Sequence, residues 1–489
     1  MKTTKRILAF FMMTVMLIST FTFISGAAKT NDIKVRDVVC TMYQSGATGR
    51  GFSWVTTDNA ASDVQIVSKA NYDSSFRKAK TFSGTSNAYR GQYMHHIVIT
   101  NLKPGTTYYY RVGDKKQGVF SKYGKFRTDN QNSTFSFITI ADVQASNEKN
   151  FALAYKTAAA AREVLPDAEF FINLGDYVNG NNNEEWDMYF SAFSKINRAL
   201  THVPVAGNHD GVMDGEVTGD LRALAFKNYF CLEEGNKSTL GGVYYSFDYG
   251  NAHFAVLNTN DMYPMSQAQR NWLKNDMSNS DAQWKIILAH RSLYSAGKNI
   301  DKPDTIIMRQ VLIPLIDELG IDMVYAGHDH MYLRTAPVCN DEKTQTKYVT
   351  EVFNGQKTKF ALNPKGTVYA LPSTAGTKRY TVNENAIEPI LSVADKAFST
   401  RDKGGCFCTT QIKGNKLVYK AYTVSDKSGK VKLVDTFAIK KTEKKESVAP
   451  TKLDESFISS AVGEAVNLPT AIAGMLVSYF KLLFQVIKK

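Results

Sequence analysis

Cysteine is scarce in this chain. There are five in 489 residues, and no two stand in a Cys-x-x-Cys spacing. That excludes finger- and ribbon-type zinc sites. Five is an odd number, so Cys40, Cys231, Cys339, Cys406 and Cys408 cannot all pair within one copy. Two readings stay open: buried free thiols throughout, which we favour, or one bridge from Cys339 to the Cys406/Cys408 pair. A recognition-helix motif and the aromatic–basic pattern of RNA binders are also missing, so no specific nucleic-acid binding is expected. Negative charge is in deficit, with 46 Asp and Glu against 59 Lys and Arg, a formal net charge of +13. A basic surface favours anionic substrates and polymers.

Long apolar runs are confined to the ends. Ile7–Ile24 follows the positive Lys2, Lys5 and Arg6 and precedes the small residues Ser25–Ala28. Met1–Ala28 therefore reads as a secretory signal, with a secreted or cell-surface location expected. Its cleavage would take the net charge from +13 to +10. The alternative is an uncleaved anchor, because the apolar core is long for a signal. At the other end, the charge run Lys440–Glu446 reads as a solvated linker. Beyond it, Ile472, Leu476, Tyr479, Leu483 and Ile487 recur at helical spacing within Ser456–Lys489. Pro469 and Lys481 break this stretch too much for a spanning helix. Residues 441–489 thus read as linker and amphipathic helix, the helix within Ser456–Lys489 either lying on a membrane surface or docked on the body.

Between the ends the pattern changes once. Residues 32–130 alternate in short runs such as Phe52–Thr56 and Tyr93–Thr100. About seven strands at this spacing predict an antiparallel β-sandwich with Trp54 in its core. Residues 133–440 alternate strand with helix. Helices are expected over Ala152–Val164, Glu184–Leu200, Gln267–Met277 and Arg309–Leu319. Hairpins are expected from Val243–Phe247 with His253–Leu257, and from Leu417–Val424 with Val431–Ile439. Residues 340–405 should be loops and short strands. The grammar predicts a four-layer α/β domain, two facing mixed sheets flanked by helices.

Only eight histidines occur, and four sit at the ends of apolar runs. Asp142-Val-Gln144 follows Phe135–Ala141, and Gly175-Asp176 follows Phe170–Leu174. Gly207-Asn208-His209-Asp210 follows Val203–Ala206, and His290 follows Trp284–Leu288. Gly327-His328-Asp329-His330 follows Ile321–Ala326. Each run reads as a buried strand. Loops at strand ends are where α/β sheets place their chemistry. Carboxylates and imidazoles converging there suit borderline divalent metals. His95, His96, His202 and His253 fall outside these motifs and are assigned structural roles.

In this order the motifs resemble the calcineurin-like metallophosphoesterases over about Phe135–Arg334. Within that superfamily the chain is most similar to the purple acid phosphatases. Gly327-His-Asp-His-Met-Tyr-Leu-Arg334 resembles their Gly-His-x-His-x-Tyr-x-Arg signature. His253-Phe254 after a Tyr-Gly turn matches their hairpin, and Val434-Asp-Thr-Phe-Ala-Ile439 looks like their final strand. Leu102-Lys-Pro-Gly-Thr-Thr-Tyr-Tyr-Tyr110 resembles their fibronectin type III-like preceding domain.

The resemblance implies a ligand set for two metal ions, divalent or mixed-valence, of iron, manganese or zinc. The first ion would take Asp142 and His330, the second Asn208, His290 and His328, and Asp176 would bridge them. Gln144 departs from the family's Asp-x-Gly and the wider superfamily's Asp-x-His, and it would be a neutral fifth ligand through its side-chain oxygen. His209 would face the substrate as proton donor, with Asp210 orienting it. Apart from the resemblance, Asn179, Arg291 and Tyr294 are candidates for contacting substrate or supporting the ligands, Arg291 or Tyr294 standing where the family has extra histidines. The implied function is a secreted phosphoesterase cleaving phosphomonoesters by metal-activated hydroxide attack. A phosphodiesterase or nucleotidase with the same site, and a cell-surface binding module with an idle site, are the alternatives.

The chain also departs from the family after the bridging Asp. Three residues after the bridging Asp, the purple enzymes carry a tyrosine bound to ferric iron. This chain has Asn179, and Tyr177 is only one residue along and should point elsewhere. Without a phenolate the isolated protein should lack an intense visible charge-transfer band, which an absorption spectrum of the metal-loaded protein checks. A strong purple colour would mean that another tyrosine reaches the metal.

Overall fold

The computed structural model describes residues 33–210, 224–232, 243–260, 265–385, 390–443 and 445. The expected signal segment Met1–Ala28 and the expected helix within Ser456–Lys489 lie outside them. Among the described residues, no helix is long and apolar enough to cross a membrane.

The aromatic and β-branched runs form strands as their composition predicts. Thr134–Ile140, Phe170–Asn173 and Thr201–Pro204 pair in parallel at the centre of a 12-stranded sheet. The closing hairpin appears as Lys416–Val424 with Val431–Lys440, and Gly405–Lys413 joins it to Thr134–Ile140. A second, seven-stranded sheet runs through Tyr245–Tyr249, Ala252–Val256, Trp284–Leu288, Met323–Tyr325, Val368–Pro372, Tyr332–Thr335 and Ala394–Phe398. Both sheets are mixed, as expected. Phe137 of the first meets Phe254 and Tyr325 of the second at ring distances of 5.7 and 6.0 Å. Burying one such ring stabilises by roughly 1.5–3 kcal/mol.

Two helices begin at a capping asparagine. Asn147 accepts the Asn150 N–H at 3.0 Å, and Glu148–Val164 then buries Phe151, Ala154, Ala158 and Ala161 on one face. Asn182 caps Asn183–Asn197, which buries Trp186, Tyr189, Phe190 and Phe193. Gln267–Asn279 lies close to the expected span. The helix expected at Arg309–Leu319 starts earlier and runs from Pro303 to Glu318. A proline in the first turn lacks only an N–H that a helix start leaves unused. The hairpin around Gly250 is tighter than read: Tyr245–Tyr249 pairs with Ala252–Val256 around Gly250 and Asn251.

The N-terminal region holds nine strands rather than about seven. Val35–Met42, Arg50–Thr56, Gln92–Ile99 and Thr85–Tyr89 continue the 12-stranded sheet beyond Thr201–Pro204, through a parallel bridge between Thr41 and His202. Asp63–Ser68, Lys80–Ser83, Thr107–Asp114, Val119–Phe120 and Gly124–Arg127 form a separate sheet. Phe52, Trp54, Ile97, Val64, Tyr110 and Val112 from the two sheets share one apolar cluster. Sequence pattern alone did not anticipate that the N-terminal strands extend the sheet built on Thr134–Ile140. All five cysteines are free thiols.

The four histidines outside the motifs bind protein groups. His95 stacks on Trp54 at 4.9 Å and meets the hydroxyls of Thr56 and Ser62. His96 reaches the Asn228 carbonyl, and His202 the Tyr177 hydroxyl. His253 lies between two carboxylates, Asp248 and Asp276, at 2.8 Å each. Burial alone would lower its pKa, but the two aspartates raise it to about 9. The folded value lies above the ordinary one, so the stabilisation is full below about pH 6.5 and is lost as pH rises through about 9. Asp248 is largely exposed, so solvent screens part of the effect. His253→Gln should therefore lower thermal stability at pH 6, by on the order of 2 kcal/mol. At pH 10 the two proteins should melt together, and an equal deficit at both pH values would show that the charge is not what stabilises.

Candidate metal centre

The strand ends that carry the motifs turn sharply. Asp142, Gln144, Asp176 and His328 all have positive φ, at 53°, 35°, 54° and 72°. Few L-residues adopt this region, and Asp and His are among those that do so most readily. Such strain persists only where surrounding bonds hold it. Here Asp142 N–H donates to the Gly175 carbonyl at 3.0 Å, and Gln144 N–H to that of Asp176 at 2.8 Å. The glycines permit close approach. A Cβ on Gly207 would stand 2.1 Å from the Asp176 nitrogen, and one on Gly175 would meet both Gly207 and the His290 ring at 2.7 Å.

The result is one buried cluster. Single donor atoms of Asp176, His290 and His328 lie within 4.8 Å of one another, and so do those of Asp142, Asp176 and His330. The two groups share Asp176. Asn208 joins the first through Oδ1, 3.0 Å from His290 Nε2. Backbone carbonyls set the rings. His290 Nδ1 donates to the Leu174 carbonyl at 2.8 Å, which turns Nε2 inward, 3.3 Å from Asp176 Oδ1. His330 Nδ1 donates to the Lys378 carbonyl at 2.5 Å, and its Nε2 lies 3.4 Å from Asp142 Oδ1. Such partners fix the tautomer of a metal-binding histidine.

Charge is concentrated here. Burial opposes ionisation of Asp176, yet the neighbouring His290, His209 and His328 hold its carboxyl well below the usual range. Burial likewise lowers His290, but the Asp176 carboxylate raises it to about 9. Burial, with the Arg291 guanidinium and His290 beside it, keeps His328 well below its ordinary value. The Gln144 Oε1 atom is buried with no hydrogen-bond partner among the described residues. A buried acceptor left alone is costly. Two carboxylates, three imidazoles and two amide oxygens are donors that fit borderline divalent cations.

Two expected roles, those of Asp210 and Tyr294, change. Asp210 does not orient His209: its carboxylate accepts the N–H groups of Asp176, Tyr177 and Gly207, each at 2.8 Å. It ties two loops together because a buried carboxylate takes the nearest free amides. The group that orients His209 is the Asn179 carbonyl, 2.6 Å from Nδ1. Thus Asn179 serves through its backbone. Tyr294 lies away from the site, fully buried in the second apolar cluster with its hydroxyl on Asp341. Arg291 is at the rim, its Nη1 3.4 Å from His328 Nε2. Tyr177 points into an aromatic cluster with Trp186, Tyr189 and Phe230, as its position predicted.

Sequence reading missed the loop after Val368–Pro372. Thr374 donates its hydroxyl to the Asp142 carbonyl at 2.5 Å, and Tyr380 stacks on the His330 ring at 4.5 Å. The signal was present, an apolar run followed by Ser373-Thr-Ala-Gly376, but no histidine or acid marked it.

Fold and site together are similar to those of a calcineurin-like phosphoesterase domain preceded by a second domain. Residues 36–128 match the family described as purple acid phosphatase, N-terminal domain, and residues 135–332 match calcineurin-like phosphoesterase. Both matches and the relatives below are to purple acid phosphatases and calcineurin-like phosphoesterases, the resemblance that the motifs implied. It is 26% identical to purple acid phosphatase 15 of Arabidopsis thaliana over 63% of this chain and 58% of that one. It is 24% identical to acid phosphatase type 7 of Mus musculus over 66% and 74%. The chain thus spans under two thirds of the length of the Arabidopsis relative. Among solved structures, purple acid phosphatase PPD1 from yellow lupin seeds shares the fold, with a TM-score of 0.68 at 17% identity over 84% of this chain and 75% of that one. PhoD shares it at 0.60 and 15%, over 86% and 95%.

Asp176 belongs to both donor groups, and its charge offsets two cations. Asp176→Asn should therefore lower bound metal and turnover more than any other single change among these donors. Elemental analysis of the purified variant checks this. Full metal content with near wild-type turnover would remove Asp176 from the shared position.

Proposed function

We propose that this chain is a secreted two-metal phosphomonoesterase. The observation that carries the reading is the pair of buried donor groups sharing Asp176. Asp142 and His330 would hold one ion, Asn208, His290 and His328 the other, with Asp176 between them and Gln144 Oε1 as a further oxygen donor. When bound, iron, manganese or zinc in such a pair polarises phosphoryl oxygens and lowers the pKa of water.

The chain's own residues then bind, orient and protonate. Arg291, partly exposed beside His328, offers a guanidinium to a phosphoryl oxygen. His209 is partly exposed, its backbone N–H on Asp176 Oδ1 and its Nδ1 on the Asn179 carbonyl. That leaves Nε2 to hand a proton to the departing oxygen. Asp210 keeps the loop that carries His209 against the loop that carries Asp176.

The same reading takes residues 32–130 as a fibronectin-like sandwich, 133–440 as a four-layer α/β phosphoesterase domain, and 441–489 as linker and amphipathic tail. The two N-terminal sheets with one core, and the two larger sheets in aromatic contact, support it. Secretion rests on the composition of Met1–Ala28, and contact of the tail with a membrane surface on its apolar stripe.

His209→Ala should retain metal and lose turnover, by about 10²–10⁴-fold for alkyl phosphates, because a general acid matters most for poor leaving groups. The loss should shrink for nitrophenyl phosphate. Metal loss in this variant would place His209 among the ligands instead. Turnover of a panel of mono- and diesters by the unmodified protein tests the substrate class, and a preference for diesters would overturn the monoesterase reading.

A further inference from the structure

The loop that supplies the Asn179 carbonyl is held from two sides by groups outside the metal centre. On one side stands Glu185, 6% exposed. Its Oε2 accepts the Asn179 N–H at 2.9 Å and also the Gly180 N–H. Glu185 is the third residue of its helix, and Asn182, the cap, accepts the Glu185 N–H at 2.9 Å. In a capping box such a glutamate would return to the cap's own N–H. Here it reaches past the cap to the loop.

On the other side is the tip of an N-terminal hairpin. Arg90 Nη1 donates to the Asn181 carbonyl at 2.6 Å, and the Arg90 carbonyl accepts from Asn183 Nδ2 at 2.9 Å. The hairpin joins Thr85–Tyr89 to Gln92–Ile99, which belong to the N-terminal domain.

Peptide planarity gives this clamp its consequence. The Asn179 carbonyl and the Gly180 N–H belong to one rigid plane. A carboxylate holding that N–H therefore fixes where the carbonyl points, and the carbonyl points at His209 Nδ1, 2.6 Å away. The carboxylate's charge also polarises the peptide, strengthening the carbonyl as an acceptor along the chain of bonds. A bond at Nδ1 sets the ring orientation and supports the imidazolium that donates from Nε2.

We propose that Glu185 and Arg90 are positioning residues for His209, and that through Arg90 the N-terminal domain takes part in the reaction. Both act through the loop backbone, and neither is among the donors of the metal cluster. The inference rests on the reading of His209 as general acid.

The experiment compares Glu185→Ala, Glu185→Gln, Arg90→Ala and His209→Ala in the full, metal-loaded chain. It measures metal content, kcat and KM on nitrophenyl phosphate and on glycerol phosphate. Glu185→Ala should lower kcat on glycerol phosphate by roughly 10- to 10²-fold, the range that misplacing a catalytic group produces. It should leave KM and metal content unchanged and affect nitrophenyl phosphate far less. Glu185→Gln keeps a carbonyl acceptor and should recover most of the loss. Arg90→Ala should show the same substrate split at smaller size. If Glu185→Ala does not fold, Arg90→Ala decides by the same split. Equal losses on both substrates, while His209→Ala shows the split, would overturn the clamp and leave the acid role standing. No split in His209→Ala would defeat the acid role and this inference with it.

Discussion

The close approach of Gly175-Asp176 to Gly207–Asp210 is the constraint on which the site depends. The Asp210 carboxylate accepts three amides, two from the first loop and one from the second. Neither loop could come so near with a side chain at Gly175 or Gly207. Once they are joined, Asp176 Oδ1 faces His290 and the His209 N–H, and the Asp142 loop follows through its bonds to Gly175 and Asp176. Positive φ at four positions is the strain this convergence requires. It is tolerated because the backbone N–H of each is held: Asp142 by the Gly175 carbonyl, Gln144 by that of Asp176, Asp176 by the Asp210 carboxylate and His328 by the Asp142 carboxylate.

Electrostatics favour the same arrangement. Buried carboxylates need partners, and here the partners are imidazoles whose outer nitrogens already serve backbone carbonyls. Each ring therefore presents a defined inner nitrogen to the carboxylates. The donors are hard oxygen and borderline nitrogen, with no thiolate among them, although five cysteines are available in the chain. Four of those thiols are buried in apolar surroundings, and burial pushes Cys40, Cys231 and Cys406 up to about 12, far from the thiolate state.

The N-terminal domain is not an appendage on this view. Its strands continue the 12-stranded sheet through Thr41 and His202, and Lys125 and Arg198 share a backbone bond of 2.7 Å. Arg36 pairs with Asp187 on the helix that carries Glu185. These contacts seat the Arg90 hairpin against the 179–183 turn, so the two halves share a sheet, an ion pair and a loop.

Strand ends, the order of the motifs and the two mixed sheets were legible in the sequence, because hydrophobic period and residue chemistry are local properties. Asp142, Asp176, Asn208, His290, His328 and His330 could be picked out because each closes an apolar run. The departure at Asn179 was legible too, as a missing phenol. What sequence could not decide is which carbonyl meets which ring. Asn179 orients His209 through its backbone, and every residue has that group, so no residue type marks it. Asp210 serves amides rather than the adjacent imidazole, and Tyr294 leaves the site, because loop closure and burial decide where a side chain finds its partner. The Thr374–Tyr380 loop, the reach of Glu185 past its cap and the continuation of the sheet into the N-terminal strands are contacts between distant segments. They exist only once the chain has closed on itself, and tertiary packing alone selects them.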